Sequence, residues 1–541
     1  MVTTKLRRIQ RSDGVGPAHA LQSARFPVML CRGLAVTHSI DRNPCIGAFQ
    51  GKLKYVLMGE KCEQVPLSDR KAEKSSGSQQ RSATTTPWTS IYIAGGCGFV
   101  QVAQASIYLS SMWPYLRKLN PDASENFFGY IVALYSFGQC ISAPVFGYWS
   151  NRIDQVRLPL LVGYASMFVG NSLYLCMQFL KASHVGYAMM LSRLIIGSGT
   201  GNMALLRAYV SSASSIQHRS RAIACVSAGI ATGTLIGPAL QLLLTPLGPE
   251  GIFLLPFFRL NMYNAPAVVS ILLNVGGFLT ILLIFEEKYL ERKSSAGNKT
   301  EDLAEPSMVA AAVCVATRFI QIFSQNTIET IGSAFSMLMF SFNKEESVAA
   351  NASAHLAAGI IGAALYFLYI FFDLSKLVPL RLSAVLSLCT FAALFLFTYP
   401  WDFLPSSVEI SYNGSDAGCA ADRFNWCNQL PAVSPWVYYP LYVLVFGLAV
   451  SIMNISVITI FSEIFGSRKQ GTHQGIFQMS GSIGRLVAPI VISSLYTKYG
   501  PSVPWALEIF LISVVILLWI VFRKKMVTAR EDEAAERVTT N

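Results

Sequence analysis

The residue whose chemistry stands out is Arg485, an arginine near the middle of an apolar stretch that runs from residue 474 to 500. A charged side chain at the centre of a bilayer costs at least ~2.5–3.5 kcal/mol, so it is retained where it faces a partner or a water-filled path. Gln478, Ser482 and Arg485 follow one another at steps of four and three residues, which places them on one face of a helix. This polar face predicts a cavity inside a membrane protein, with Arg485 as a group that attracts anions.

A second arginine, Arg193, lies in an apolar stretch of the N-terminal half. One interpretation is that Arg193 and Arg485 attract a small anion from the two halves of one path. The alternative is that each arginine anchors the fold by binding backbone carbonyls or a neighbouring helix. Arg207 lies at the end of the same stretch as Arg193, where an arginine more often extends to the lipid head groups, so we do not assign it to the path.

A further polar stripe, Arg318, Gln321, Gln325 and Glu329, lies in the stretch from residue 308 to 338. Eleven residues of helix return to the same face about 16 Å further along, so Arg318 and Glu329 do not bond directly. We expect this stripe to line the same path. Glu329 is the carboxyl that an acidic compartment would protonate. The alternative is a carboxylate that pairs with a neighbouring helix or is simply hydrated.

The composition identifies the class of protein. The chain has 541 residues, of which 52% are hydrophobic and only 13% are charged, whereas about a quarter of the residues of soluble domains are charged. Most of the net charge of +12 lies in residues 1–88, before the first apolar stretch, and no nucleic-acid-binding pattern accompanies it. These features predict a polytopic membrane protein whose surroundings are the lipid bilayer, with no nucleic-acid partner.

The sequence contains no recognisable motif of an enzyme. The sequence has no Walker loop, no paired catalytic carboxylates and no His or Cys spacing of a metal site. We therefore predict no enzymatic activity, no cofactor and no metal.

Apolar stretches of about 20 residues, the length that crosses ~30 Å of hydrocarbon as a helix, recur along the chain. We number them spans 1 to 12, and they predict an all-α fold. Their predicted ranges are 89–116, 127–150, 158–180, 187–210, 222–244, 263–285, 308–338, 347–372, 379–398, 436–460, 474–497 and 503–522.

A charged segment, residues 286–306, divides the spans into two sets of six. The predicted domains follow from this division. They are a disordered basic cytosolic tail (1–88), an N-terminal half (89–285), a cytosolic linker (286–306), a C-terminal half (307–522) with a long loop (399–435), and a C-terminal tail (523–541).

The distribution of Lys and Arg among the connections puts both termini in the cytosol and the loop 399–435 on the lumenal side. That loop contains Cys419 and Cys427, which we expect to form a disulfide, and Asn413, which starts an Asn-Gly-Ser glycosylation sequon. Both modifications require a lumenal or extracellular face. The chemistry of the loop and the charge bias therefore agree on its side.

The two halves share a short sequence at matching positions. Residues 233–238 read GTLIGP in span 5, and residues 484–489 read GRLVAP in span 11. Two six-helix repeats related by an axis along the membrane normal are typical of the major facilitator fold. The residues predicted to pack span 5 closely against a neighbour and then bend it are Gly229, Gly233, Gly237 and Pro238.

The segment 147–157 reads GYWSNRIDQVR and resembles the cytosolic gating-loop motif of the major facilitator superfamily. Gly147 and Arg152 match the motif, while Asn151 stands where the superfamily has an acid, so a hydrogen bond replaces a salt bridge. The segment from Arg193 to Gly199 fits the arginine-glycine pattern of the fourth helix in that superfamily.

Several longer segments resemble one lysosomal family of this superfamily, that of major facilitator superfamily domain-containing protein 8. They lie at 113–121, 134–151, 193–210 and 474–506, and Asn151 itself matches the family pattern. The resemblance implies an endolysosomal membrane protein that moves a small solute or anion, with chloride the leading candidate, as a channel or an anion transporter. Two alternatives stay open. One is a proton-coupled alternating-access carrier, and the more distant one is a membrane scaffold that does not transport.

Overall fold

A computed structural model describes most of the chain. The described residues are 81–83, 85–108, 111–255, 258–290, 306–372, 374, 378–411, 418–420, 424–427, 430–466 and 468–526. The cytosolic tail predicted for residues 1–88 lies almost entirely outside them, as do Asn413 and most of the linker predicted at 286–306.

Helices dominate the N-terminal half, as the apolar stretches predict. Spans 2, 3, 5 and 6 are the helices Glu125–Ile153, Arg157–Leu175, Arg219–Leu244 and Ala265–Leu283. Ser124 caps the first of them, because its hydroxyl accepts a hydrogen bond from the backbone N–H of Phe127 (3.3 Å).

Spans 1 and 4 were wrongly predicted as continuous helices. Span 1 consists of Trp88–Ser106 and Met112–Leu119, and span 4 consists of Ala182–Thr200 and Met203–Ala213. Within the described residues, ten helices are long and apolar enough to cross a membrane, and neither of these two spans is among them. Both contain several Gly and Ser residues, which lower the mean hydropathy and let neighbouring helices approach closely.

The C-terminal half repeats the arrangement. Spans 7, 8, 9, 11 and 12 are the helices Met308–Met339, Lys344–Phe372, Leu380–Phe397, Gly471–Tyr499 and Ser502–Val521. Span 10 contains Pro435–Leu444 and Val450–Phe465, joined by one π-helical turn at Val445–Ala449. Such single π turns often occur at functional sites.

Equivalent glycines lie at close contacts between helices in the two halves. A Cβ atom on Gly229 would lie 2.1 Å from the carbonyl oxygen of Gly95, and one on Gly233 would lie 2.7 Å from that of Phe99, so span 5 packs directly on span 1. In the C-terminal half, a Cβ on Gly484 would lie 2.9 Å from the carbonyl oxygen of Phe319, so span 11 packs on span 7. The repeated segment therefore occupies matching contacts in both halves.

The strands are short and lie outside the helices. Strand β1 (Arg81–Ala83) pairs in parallel with β4 (Lys288–Leu290), β2 (Ile252–Leu255) pairs antiparallel with β3 (Phe258–Leu260), and β5 (Ile410–Ser411) pairs in parallel with β6 (Cys419–Ala420).

A disulfide joins Cys419 to Cys427 in the long loop. Beside it, Trp426 donates a hydrogen bond from Nε1 to the carbonyl of Thr497 (3.3 Å) near the end of span 11. We call this end of the molecule the disulfide side. The opposite end, where span 2 ends at Ile153 and span 11 begins at Gly471, is the tail side.

Candidate functional site

Three arginines from different spans approach one another between the two halves. Arg207 comes from span 4, Arg318 from span 7 and Arg485 from span 11, and each lies close enough to the other two for mutual electrostatic repulsion. We call these three residues the arginine cluster. Arg207 and Arg318 are buried, with 5% and 6% of their surface exposed, whereas Arg485 is half-buried.

Arg207 connects the N-terminal half to the C-terminal half. Its Nη1 donates a hydrogen bond to Oε1 of Gln478 in span 11, at 2.5 Å. The prediction that Arg207 extends to the lipid head groups is wrong, because the break at residues 201–202 continues span 4 as a second helix, Met203–Ala213, in which nearly every residue is buried. Nε of Arg207 is buried without a hydrogen-bond partner.

Arg318 is held by amide oxygens. Its Nη1 donates to Oε1 of Gln321 (3.0 Å) and to Oδ1 of Asn454 in span 10 (2.7 Å). Asn454 also accepts a hydrogen bond from Nε2 of Gln321 (3.1 Å) and lies near Tyr366 of span 8. These neutral groups orient the guanidinium without neutralising its charge, and Nε of Arg318 is left buried without a partner.

Arg485 differs from the other two arginines because its guanidinium is open. Within the part of the chain that the structure describes, it makes no hydrogen bond and no ion pair within 4.0 Å. Its acidic neighbour is Glu329 of span 7, with which it interacts electrostatically over a longer distance. Glu329 is exposed, and it also interacts with Tyr442, whose hydroxyl lies 2.8 Å from Nδ1 of His355.

The balance of charge in this region is positive. Among the described residues, Glu329 acts on Arg485, and the groups that act most strongly on Arg207 and Arg318 include no carboxylate. Three cations against one anion leave two positive charges between the halves. A buried cation is expensive unless it is paired, so the arrangement suits an incoming anion.

One interpretation of the sequence placed Arg193 on the same path as Arg485. In the structure, Arg193 lies among aromatic side chains. Its guanidinium carbon stands 4.2 Å from the ring centre of Tyr108 and 5.6 Å from that of Tyr174, and its Nε donates to the sulfur of Met112 (3.0 Å). All of these partners belong to the N-terminal half. Cation–π contacts hold the guanidinium there, so the structure favours the alternative that Arg193 anchors the fold.

A network of amides extends from Tyr108 through the N-terminal half. The Tyr108 hydroxyl donates to Oδ1 of Asn171 (2.7 Å), and Nδ2 of Asn171 donates to Oε1 of Gln104 (3.0 Å). Asn274 donates from Nδ2 to the same oxygen of Gln104 (2.6 Å). We call Gln104, Tyr108, Asn171 and Asn274 the amide network. It joins spans 1, 3 and 6.

The polar face predicted on span 11 meets span 2 as well as the arginine cluster. Ser482 donates from Oγ to Oε1 of Gln139 in span 2 (2.9 Å), while Gln478 accepts from Arg207 as described. Gln325 is half-buried on span 7 between Gln321 and Glu329. The face therefore spans from the contact between the halves to the open guanidinium of Arg485.

The tail side of the molecule is closed by contacts between spans 2 and 11. Asn151 donates from Nδ2 to Oγ1 of Thr472 (2.9 Å) and accepts the backbone N–H of Gly471 (3.0 Å). A Cβ atom on Gly147 would lie 2.2 Å from the carbonyl oxygen of Gly471, so the two helices touch here. Asn151 thus joins the halves by hydrogen bonds.

Charged residues flank this contact. Lys469 forms an ion pair with Asp154 (2.5 Å), where Asp154 ends span 2 in the left-handed conformation with φ of 55°. Arg152 is exposed. An exposed ion pair stabilises by ~1 kcal/mol or less, so the glycine and asparagine contacts dominate the closure.

Sequence reasoning missed Glu508 in span 12, which is fully buried. Its carboxylate accepts hydrogen bonds from the hydroxyls of Ser324 (2.5 Å) and Thr327 in span 7. The signal was available, because Glu508 interrupts an apolar run just as Arg485 does. The described residues contain no group of three or more His, Cys, Asp or Glu side chains that could hold a metal.

Comparisons with known proteins agree with this architecture. The family model of the Major Facilitator Superfamily matches residues 94–412 and 426–540. Major facilitator superfamily domain-containing protein 8 from Xenopus laevis is 29% identical over 450 residues, which cover 76% of this chain and 86% of that protein. Multidrug resistance protein 2 from Bacillus subtilis (strain 168) is 26% identical over 239 residues, 44% of this chain and 56% of that protein.

Solved structures with similar folds are transporters at low sequence identity. The human organic anion transporter MFSD10 (TETRAN) superposes with a TM-score of 0.56 at 16% identity, covering 80% of this chain and 99% of that one. The transporter FucP in its outward conformation gives a TM-score of 0.55 at 11% identity, covering 82% and 99%. At these identities the likeness concerns the fold alone.

Proposed function

The chain belongs to the major facilitator superfamily, a superfamily of membrane transporters, and we propose that it moves small anions across the endolysosomal membrane, with chloride as the leading candidate. The observation that carries this proposal is the arginine cluster between the two halves, in which three guanidinium groups act against the single carboxylate of Glu329. Cations that line a path attract anions and repel cations. The selectivity would therefore come from this charge balance.

The geometry of the cluster supports a path that runs between the halves. Arg207 belongs to the N-terminal half, while Arg318 and Arg485 belong to the C-terminal half, so an anion held by all three would contact both halves at once. Rocking of the two halves around such a site is how this fold carries out alternating access. The closed contact at Gly147 and Gly471 fits one state of that cycle, with the tail side shut.

The decisive experiment is anion flux in proteoliposomes that contain the full-length protein. We expect Arg485→Gln to lower chloride flux about tenfold or more, because a hydrogen bond to a charged group contributes ~1.5–3 kcal/mol. Thr234→Val is the matched control, since Thr234 occupies the place of Arg485 in the repeated segment of span 5. Unchanged flux and ion preference in Arg485→Gln would remove this arginine from the mechanism.

A proton-coupled carrier is the second candidate, and the interaction between Glu329 and Arg485 favours it. Protonation of Glu329 would remove the one negative charge beside the cluster and so change its affinity for anions. Whole-organelle patch clamp separates the two candidates. Chloride current far above carrier turnover that survives Glu329→Gln supports a channel, whereas flux that depends on lumenal pH and is lost in Glu329→Gln supports a carrier.

A scaffold without transport is the more distant candidate. If wild-type protein gives neither current nor flux while it still binds partner proteins, the transport proposal fails and the scaffold gains support.

The proposed location has its own test. We propose that both termini face the cytosol and that the loop with Cys419 and Cys427 faces the lumen, which is where a disulfide forms. Asn413 is the proposed glycan site. Removal of N-glycans should shift the mobility of the wild-type protein, and Asn413→Gln should abolish that shift. Co-fractionation with plasma membrane in place of lysosomes would contradict the endolysosomal assignment.

A further inference from the structure

The charge of the arginine cluster is larger than a chloride ion can balance. Arg207, Arg318 and Arg485 repel one another, and Glu329 offsets one of their three charges. Glu508, the buried carboxyl of span 12, is bonded by the hydroxyls of Ser324 and Thr327 and acts on none of the three arginines. A monovalent anion would therefore leave one positive charge of the cluster uncompensated, and a divalent anion would leave none.

The cluster contains guanidinium donors that no hydrogen-bond acceptor occupies within the described residues. Nε of Arg207 and Nε of Arg318 are buried without hydrogen-bond partners, and the whole fork of Arg485 is free of hydrogen bonds within the described residues. A guanidinium presents its donors in a planar fork that matches the paired oxygens of a carboxylate or phosphate. A spherical halide is attracted by the positive charge, but it does not have the paired oxygens that match the two donors of the fork.

Amides hold two of the three guanidinium groups, those of Arg207 and Arg318, in place without an anion. Gln478 holds Arg207, while Gln321 and Asn454 hold Arg318. Gly481 lets span 11 lie against Arg318, because a Cβ there would stand 3.2 Å from its Nε. Donors that are oriented in advance lose less conformational entropy when a ligand binds, which favours a specific ligand over a general positive potential.

From charge, donor geometry and preorganisation, we infer that the arginine cluster is a binding site for a small dianionic oxyanion, either a dicarboxylate or a phosphate. Each of its two negative charges would engage guanidinium forks from both halves. This inference rests on the proposed anion transport and narrows its substrate class. Chloride would then occupy the site as a weaker, partial occupant.

The test measures binding to the full-length protein in detergent by ligand-dependent thermal unfolding. The probes are sodium succinate, inorganic phosphate at mildly alkaline pH, sodium acetate and sodium chloride, compared at equal ionic strength. We expect succinate or phosphate to bind at least about tenfold more tightly than acetate and chloride. Preference for succinate alone or for phosphate alone identifies the dicarboxylate or the phosphate as the source.

Two variants separate charge from geometry. Arg318→Lys keeps the charge but lacks the fork, and we expect it to lose most of the preference for the dianion while it still binds chloride. Arg193→Gln is the control from the aromatic site of the N-terminal half, and the folded fraction of that variant should keep the wild-type order of affinities.

The outcomes distinguish this inference from the proposed function. If chloride binds as tightly as both dianions, or if Arg318→Lys keeps the dianion preference, the dianion site is refuted while anion transport stands. If none of the four anions shifts the unfolding temperature and none is transported, both fail.

Discussion

Two polar regions lie inside this membrane protein, and they treat their polar groups differently. In the amide network, Tyr108, Asn171, Gln104 and Asn274 are neutral and bond one another across three spans of one half. In the arginine cluster, like charges from both halves face one another, and Nε of Arg207 remains without a partner.

The neutral hydrogen bonds of the amide network and the like charges of the arginine cluster have different consequences for stability. Hydrogen bonds between neutral groups hold helices of one half together without a ligand. Buried like charges oppose association and are retained where a ligand or a conformational change compensates them. The amide network therefore stabilises the N-terminal half, while the charges at the boundary between the halves are consistent with the proposed binding of an anion.

Removal of one charge from the arginine cluster should have the largest effect on anion flux. We expect Arg207→Gln to lower anion flux in proteoliposomes by roughly 10–100-fold, because a charged donor is lost. The unfolding temperature should stay equal or rise, since repulsion from Arg318 and Arg485 is relieved. A large loss of stability with normal flux in the folded fraction would show that Arg207 is structural.

The opposite pattern is expected for the amide network. Asn171→Leu removes the acceptor of the Tyr108 hydroxyl and a donor to Gln104, so we expect the free energy of unfolding to fall by about 1–3 kcal/mol. Chemical unfolding in detergent measures it, and anion selectivity of the folded protein should not change. Altered selectivity would place the network in the transport path.

A change at the tail side tests whether access to the cluster depends on closure. In Gly147→Ala the new Cβ would meet the carbonyl oxygen of Gly471 at 2.2 Å, and overpacking of this kind costs about 1–3 kcal/mol. We expect about tenfold faster labelling of an Ala143→Cys reporter by an impermeant maleimide from the tail side. Ala143 is fully buried in span 2 beside Gly475.

The control for that experiment is the reporter alone, with Gly147 retained. Equal labelling rates in the two proteins would mean that the contact between spans 2 and 11 does not close this end.

The smallest effect is expected at the counterpart of Arg485. The hydroxyl of Thr234 is exposed and bonds the carbonyl of Ile230 in its own helix (3.1 Å). Thr234→Val should change flux and the free energy of unfolding by less than about 0.5 kcal/mol. An effect as large as that of Arg485→Gln would show that both halves contribute this position to the path.

The fold followed from the sequence to a large extent. Apolar length gave the spans, and the segments 233–238 and 484–489 gave the repeat, because both features depend on local composition and on the thickness of the bilayer. The interruptions of spans 1 and 4 were not predicted, because where a helix is interrupted inside an apolar stretch depends on tertiary packing. A hydropathy window does not contain that information.

The candidate site could be predicted from the sequence only in part. The sequence alone proposes Arg485, Gln478, Arg318 and Gln321 as path residues, because polar residues on one helix face inside an apolar run are informative by themselves. Their role in transport stays a prediction. Arg207 was assigned to the lipid head groups, since its place in the sequence is close to the end of a span. Its true partner, Gln478, is 271 residues away.

The sequence by itself determined that this chain crosses a membrane as two repeated sets of helices and that a few charges lie within them, because burial of a charge in lipid is expensive at any position. Only the tertiary structure decided which charges meet. Arg193 and Arg485 have similar settings in the sequence, but the first lies over the rings of Tyr108 and Tyr174, whereas the second is half-buried and interacts with Glu329. Electrostatic interactions depend on distance in space, and distances between spans are fixed by helix packing.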